Sequence, residues 1–96
     1  MSDATSGVEA AVRGAIAAHL RWSPAAVRRE LRLKTDLGLT LLDLIHLVLP
    51  LERRLAREAA IQGDFPVAQL VGVDTVGQLV DLFHGWTSRA QARSPW

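Results

Sequence analysis

Apolar residues recur at helical spacing in three separate stretches of the chain. In the first, Val8, Val12, Ile16 and Leu20 fall four residues apart, with Ala11, Ala15 and Ala18 beside them. This is the stripe of an amphipathic helix, predicted over 8–20, and its alanines let a neighbouring helix come close. Ser6 and Glu9 ahead of it have the spacing of a capping box. Trp22 closes the element. Ser23-Pro24 then reads as an N-cap followed by proline in the first helical position, so a short helical turn through Val27 is expected.

The next residues, Arg28, Arg29, Glu30, Arg32 and Lys34, alternate with Leu31 and Leu33. They make a long polar connection with a few apolar anchors. Two readings stay open for it, a solvated loop and a docking surface for an acidic partner.

The second apolar stretch dominates the chain. Asp36-Leu37-Gly38 is a turn, with glycine supplying a conformation that costs other residues. Thr40 is the N-cap of a helix predicted over Leu41–Ala59. Its polar positions, Asp43, His46, Pro50, Arg53 or Arg54, and Arg57, share one stripe, and nearly everything else from Leu41 to Leu51 is apolar. A surface helix carries an apolar arc of little more than about 100°. The wider arc here implies that part of it faces something beyond the helix's own core. Pro50 removes one backbone hydrogen bond and clashes with the carbonyl of His46, at about 3 kcal/mol. A kink near 46–50 is expected, with a break into two helices as the alternative.

In the third stretch, Gly63-Asp64 and Pro66 signal turns ahead of a short helix over about 66–71. Asp74 is the predicted N-cap of a last helix with Val76, Leu79, Val80 and Phe83 on its apolar face. Gly85 is its predicted stop, with Trp86 packing behind. The expected architecture is all-α: a small four-helix bundle with a long first loop and a short third helix. Residues 1–7 are expected to be a flexible lead-in, 8–86 the domain and 87–96 a fraying tail.

Composition narrows the chemistry. With 96 residues the chain fits one small domain, and 49% hydrophobic with only 5% aromatic residues implies an aliphatic core. A net charge of +1 gives no case for a nucleic-acid footprint. Cysteine is absent, which excludes disulfides, thiolate metal sites and a thiol nucleophile. No segment has the length of a membrane span, and the first residues lack the basic and apolar regions of a signal peptide, so a cytoplasmic location is expected. His19, His46 and His84 fall on three different predicted helices without paired metal-ligand spacing. His46 stands three residues from Asp43 on the polar stripe, the spacing of a helix-surface hydrogen bond. No phosphate loop and no nucleophile with a base is evident, so no enzyme activity, cofactor or metal is expected.

The order helix, long loop, helix, short helix, helix, joined to Asp36-Leu37-Gly38 and the register of Asp43, Leu47, Val48, Leu51, Glu52 and Leu55, resembles the acyl carrier protein family. The resemblance covers about 8–86 and weakens between 58 and 73. In that family an Asp-Ser-Leu follows the turn, and the serine is esterified to phosphopantetheine. Here those positions hold Thr40, Leu41 and Leu42. Leucine has no hydroxyl, so the resemblance implies a divergent carrier without its prosthetic arm. The family's second helix is usually acidic and docks basic enzymes. Here Asp43 and Glu52 stand against Arg53, Arg54 and Arg57.

The leading expectation is a protein–protein interaction or regulatory module. Its candidate partner-binding residues are Leu39, Thr40, Leu41, Ile45, His46, Arg53, Arg54 and Arg57, with Leu39, Leu41 and Ile45 forming an exposed apolar patch. The other reading of Leu41 has it folded onto apolar neighbours, marking only lost function. The resemblance supplies the partner class, a biosynthetic enzyme of fatty acid or polyketide type or a regulator that binds carriers. Two alternatives stand beside it: a carrier holding an apolar acyl ligand non-covalently between its helices, and a homodimer paired through its second helices.

Overall fold

A computed structural model describes residues 3–59 and 65–92. The fold is all-α. Helix α1 spans Asp3–Leu20, α2 spans Leu41–Ala59 and α3 spans Val76–Ala92, with short 3₁₀ segments at Pro24–Ala26 and Val67–Gly72. α1 packs against both α2 and α3. The long first loop and the short third helix stand where the sequence pattern puts them.

The core joins one face of each helix. Val8, Val12 and Ile16 from α1 meet Leu44, Val48, Leu51 and Leu55 from α2 and Val76, Leu79, Val80 and Phe83 from α3, all buried. Val27, Leu33 and Leu37 anchor the long loop in the same cluster. The core is not purely aliphatic. Phe65 stacks on Phe83 with ring centroids 4.2 Å apart and meets Trp86 edge-on at 5.5 Å. Such pairs add about 0.5–1.5 kcal/mol beyond the area they bury.

The local signals place helix ends with mixed success. α2 begins at Leu41 behind the expected cap: Asp43 N–H donates to Thr40 Oγ1 at 3.1 Å, and Thr40 N–H donates to Asp43 Oδ2 at 2.9 Å. This reciprocal pair satisfies two groups at the helix start. α2 runs as one helix through Pro50, which is exposed, so the alternative of a break into two helices does not occur. α1 starts before Ser6, which therefore lies inside the helix and is not its cap. The cap of α3 is Thr75, not Asp74. Gln78 N–H donates to Thr75 Oγ1 at 3.2 Å, and Gln78 Oε1 accepts from Thr75 N–H at 3.1 Å and Asp74 N–H at 2.6 Å. Gly85 does not stop α3. Trp86 and Thr87 are buried, and this burial carries the helix on through the part of the expected tail up to Ala92. The expected turn at Gly63-Asp64 and the last residues, 93–96, lie outside the described residues.

The long loop is stitched to the start of α3. Leu33 N–H donates to Asp74 O at 2.8 Å, Val76 N–H to Leu31 O at 3.0 Å and Gly77 N–H to Arg29 O at 2.9 Å. The first amides of a helix have no partner within it. Here loop carbonyls supply that partner. Close approach favours the glycine: a Cβ on Gly77 would stand 3.3 Å from Arg29 O, a tight contact.

Charge reinforces the same junction. Arg29 bridges Glu9 of α1 at 3.2 Å and Asp81 of α3 at 3.0 Å. Its pKa is raised, first by the hydrogen bond to Asp81 and further by Glu9. Arg13 Nε donates to Val27 O at 2.6 Å, and its Nη1 donates to Glu9 at 3.2 Å. Within the basic stretch Arg29 therefore clamps three elements, while Arg28, Arg32 and Lys34 stay exposed.

Candidate functional site

The candidate site is the outward side of α2. At about 100° per residue, Leu44, Val48, Leu51 and Leu55 share one line facing the core. A second apolar line, Leu42, Ile45, Leu49 and Ala56, lies roughly 120° round the helix. Leu42 is 61% exposed and Leu49 41%, while Ile45 and Ala56 are half-buried. Leu41 stands at the edge of this line, 37% exposed. The wide apolar arc is therefore two rows with different destinations, one inward and one outward.

The residues named from sequence separate accordingly. Leu41 is exposed and Ile45 half-exposed, as the patch requires. Leu39 is not part of it. Gly38 adopts φ +70°, and the turned chain drives Leu39 inward until it is 2% exposed. Its N–H donates to Leu33 O at 2.8 Å. Leu39 belongs to the core and cannot contact a partner. Leu42 and Leu49 take its place, and sequence reasoning missed them. Their signal was present: once Leu44, Val48, Leu51 and Leu55 are recognised as the core row, Leu42 and Leu49 must point elsewhere.

The polar groups divide in the same way. Thr40 is engaged as the cap. Asp43 turns back to it, and its carboxyl pKa is lowered, first by the Thr40 backbone N–H, then by the Thr40 hydroxyl, with His19 and His46 as nearby positive charge. His46 is exposed and acts on Asp43 only through charge, while the carboxylate accepts its hydrogen bond from Thr40 N–H. Arg54 pairs with Glu58 at 3.3 Å. Arg53 and Arg57 are exposed, and neither forms an ion pair among the described residues. Glu52, between Leu49 and Ala56, is half-buried and accepts from Phe65 N–H at 3.2 Å. The two α2 carboxylates nearest the outer row are thus committed internally, while two arginines beside it are available.

No group of three or more metal-ligating side chains gathers among the described residues. An open groove of about 560 Å³ lies between Val67–Gly72 and α3, lined by Gln69, Val73, Gln78, Asp81 and Leu82 among others. None of its lining residues belongs to α1 or α2. No helix among the described residues is long and apolar enough to cross a membrane. No family model matches the chain, and no curated protein does either.

Proposed function

We propose that the chain is a non-enzymatic, carrier-like helical module that works by docking a protein partner on the outer face of α2, without a phosphopantetheine arm. The observation that carries this reading is the exposure of Leu41, Leu42 and Leu49 on a helix whose core positions are already filled by another row. A leucine that merely replaced a lost serine would gain most by folding inward. Full burial of its side chain contributes about 1.5–3 kcal/mol. Leu41 instead shares the outward side of α2 with the exposed Leu42 and Leu49, and exposed apolar surface of this kind marks interaction sites. The link to carrier chemistry, and with it the expectation of a biosynthetic enzyme or regulator as partner, rests on the resemblance around Asp36-Leu37-Gly38.

Intact-mass analysis after incubation with coenzyme A and a broad-specificity phosphopantetheinyl transferase tests the missing arm. No mass gain is expected. An adduct on any residue overturns the reading. Leu41→Ser is expected to be modified poorly, because Thr40 and the arginines of α2 remain; rapid, complete modification would show that only the serine had been lost.

A further inference from the structure

We infer that the partner of α2 is an acidic amphipathic helix, seated along the outer row with its carboxylates against Arg53 and Arg57. The inference rests on the docking role proposed for this face and deepens it by naming the partner's chemistry.

Four observations point to a helix. Leu42, Ile45 and Leu49 repeat at three and four residues, and Ala56 follows one heptad after Leu49. This is the seam against which a second helix packs its own apolar residues. The row spans about 21 Å at 1.5 Å per residue, close to four turns of a partner helix. The small Ala56 at its far end allows close approach. The row is also narrow and without aromatic residues, which suits a helix better than the broad, aromatic-bearing face that lies on a lipid surface.

Charge selects which helix. Arg53 flanks the seam, and Arg57 follows it one turn on, both exposed and without an ion pair among the described residues. Glu52 is held by Phe65 N–H and Asp43 by Thr40, so neither neutralises them. A second copy of this chain answers less well. In an antiparallel pair the arginines of each copy approach the partner's α2 start, where Asp36 is engaged by Arg32 N–H at 2.8 Å and Asp43 by Thr40. In a parallel pair the arginines meet each other. Complementary charge on a different chain removes both difficulties and disfavours wrong partners.

The test uses the full chain, ¹⁵N-labelled, and two stapled helical peptides of about five turns. Both carry leucines at three-four spacing; one has glutamates on its flanks and the other has lysines. Saturable shifts centred on 41–57 are expected with the glutamate peptide, and about five- to tenfold weaker binding with the lysine peptide, in line with two exposed ion pairs. Arg53→Glu with Arg57→Glu should invert that preference. Leu42→Gln with Leu49→Gln, which keeps the charge, should abolish binding of both peptides while the helical circular dichroism is retained.

Equal binding of the two peptides, or a preference that survives the charge reversal, overturns the acidic partner. If such binding is still lost in the double glutamine variant, docking on α2 stands and only the partner's charge class fails. No saturable binding of either peptide up to about 1 mM overturns both. Concentration-dependent sedimentation abolished by the glutamine variant assigns the face to a second copy, and binding to anionic phosphatidylserine vesicles but to neither peptide assigns it to a membrane. Either result overturns the inference.

Discussion

Replacing Leu39 and Leu42 separately by alanine gives the sharpest check on how the head of α2 is built. The two residues are close in sequence and chemically identical, yet Leu39 is 2% exposed and Leu42 61%. Leu→Ala at a buried site costs about 2–5 kcal/mol, the lost transfer energy plus the residual cavity. Leu39 lies in the loop just before α2 and not in a helix, so partial collapse and a cost of about 3 kcal/mol are expected. At 4–8 °C per kcal/mol for a domain this small, the melting temperature falls by about 12–24 °C. Leu42 already keeps most of its side chain in water, and its truncation should cost less than about 1 kcal/mol. Urea denaturation followed by circular dichroism measures both, with an unchanged slope confirming that stability alone has moved. Leu42→Ala costing as much as Leu39→Ala would refute the assignment of the two faces. So would Leu39→Ala leaving stability within about 0.5 kcal/mol of the parent.

Further outcomes follow from the turns, the cap and the clamp. Arg21 holds φ +61° just after α1, where Trp22 N–H closes the end on Ala17 O at 2.8 Å, a position that favours glycine. Arg21→Gly should therefore stabilise by up to about 1 kcal/mol, and Gly38→Ala should destabilise by about the same amount through backbone strain alone; opposite shifts in thermal melting would contradict both. The Asp43 carboxyl is depressed in the folded state, so its contribution is present above the ordinary carboxylate range and is lost as pH falls through its lower folded value. Asp43→Asn should flatten the acid limb of stability below about pH 4, and an unchanged limb in acid titration would show that the cap does not create it. Arg29→Met should cost about 1 kcal/mol in low salt, with the deficit shrinking at high salt because the guanidinium is well exposed; a salt-independent deficit would indicate packing instead.

What could be read from the sequence was mostly local. α2 occupies Leu41–Ala59 because Thr40, Asp43 and the apolar register specify its start and course within a few residues. The end of α3 was not legible at Gly85, because Phe65 and Trp86 meet only after the chain has folded back. Asp74 and Thr75 are both good caps by type, and Gln78 three residues after Thr75 decides between them. The burial of Leu39 was not legible because it depends on the left-handed turn at Gly38, φ +70°, and on the packing of the loop into the core. The i,i+4 pair Glu9–Arg13 is visible in sequence, but the reach of Arg29 to Asp81 is not, since nothing local connects residues so far apart. For the candidate site, the arginines and Leu41 were accessible from composition and resemblance. Leu42 and Leu49 needed the core row to be fixed first.

The stitching of the long loop to α3 bears on how this domain opens. Leu33, Val76 and Gly77 share backbone hydrogen bonds across one junction, with Gly77 N–H held directly by Arg29 O. Breaking the loop away uncovers the first amides of α3, and unravelling that helix end strips the loop of its partners. The segment is therefore expected to exchange its amide protons together with the start of α3, as one cooperative unit. A molecule that grips the loop is therefore expected to slow the opening of α3 as well.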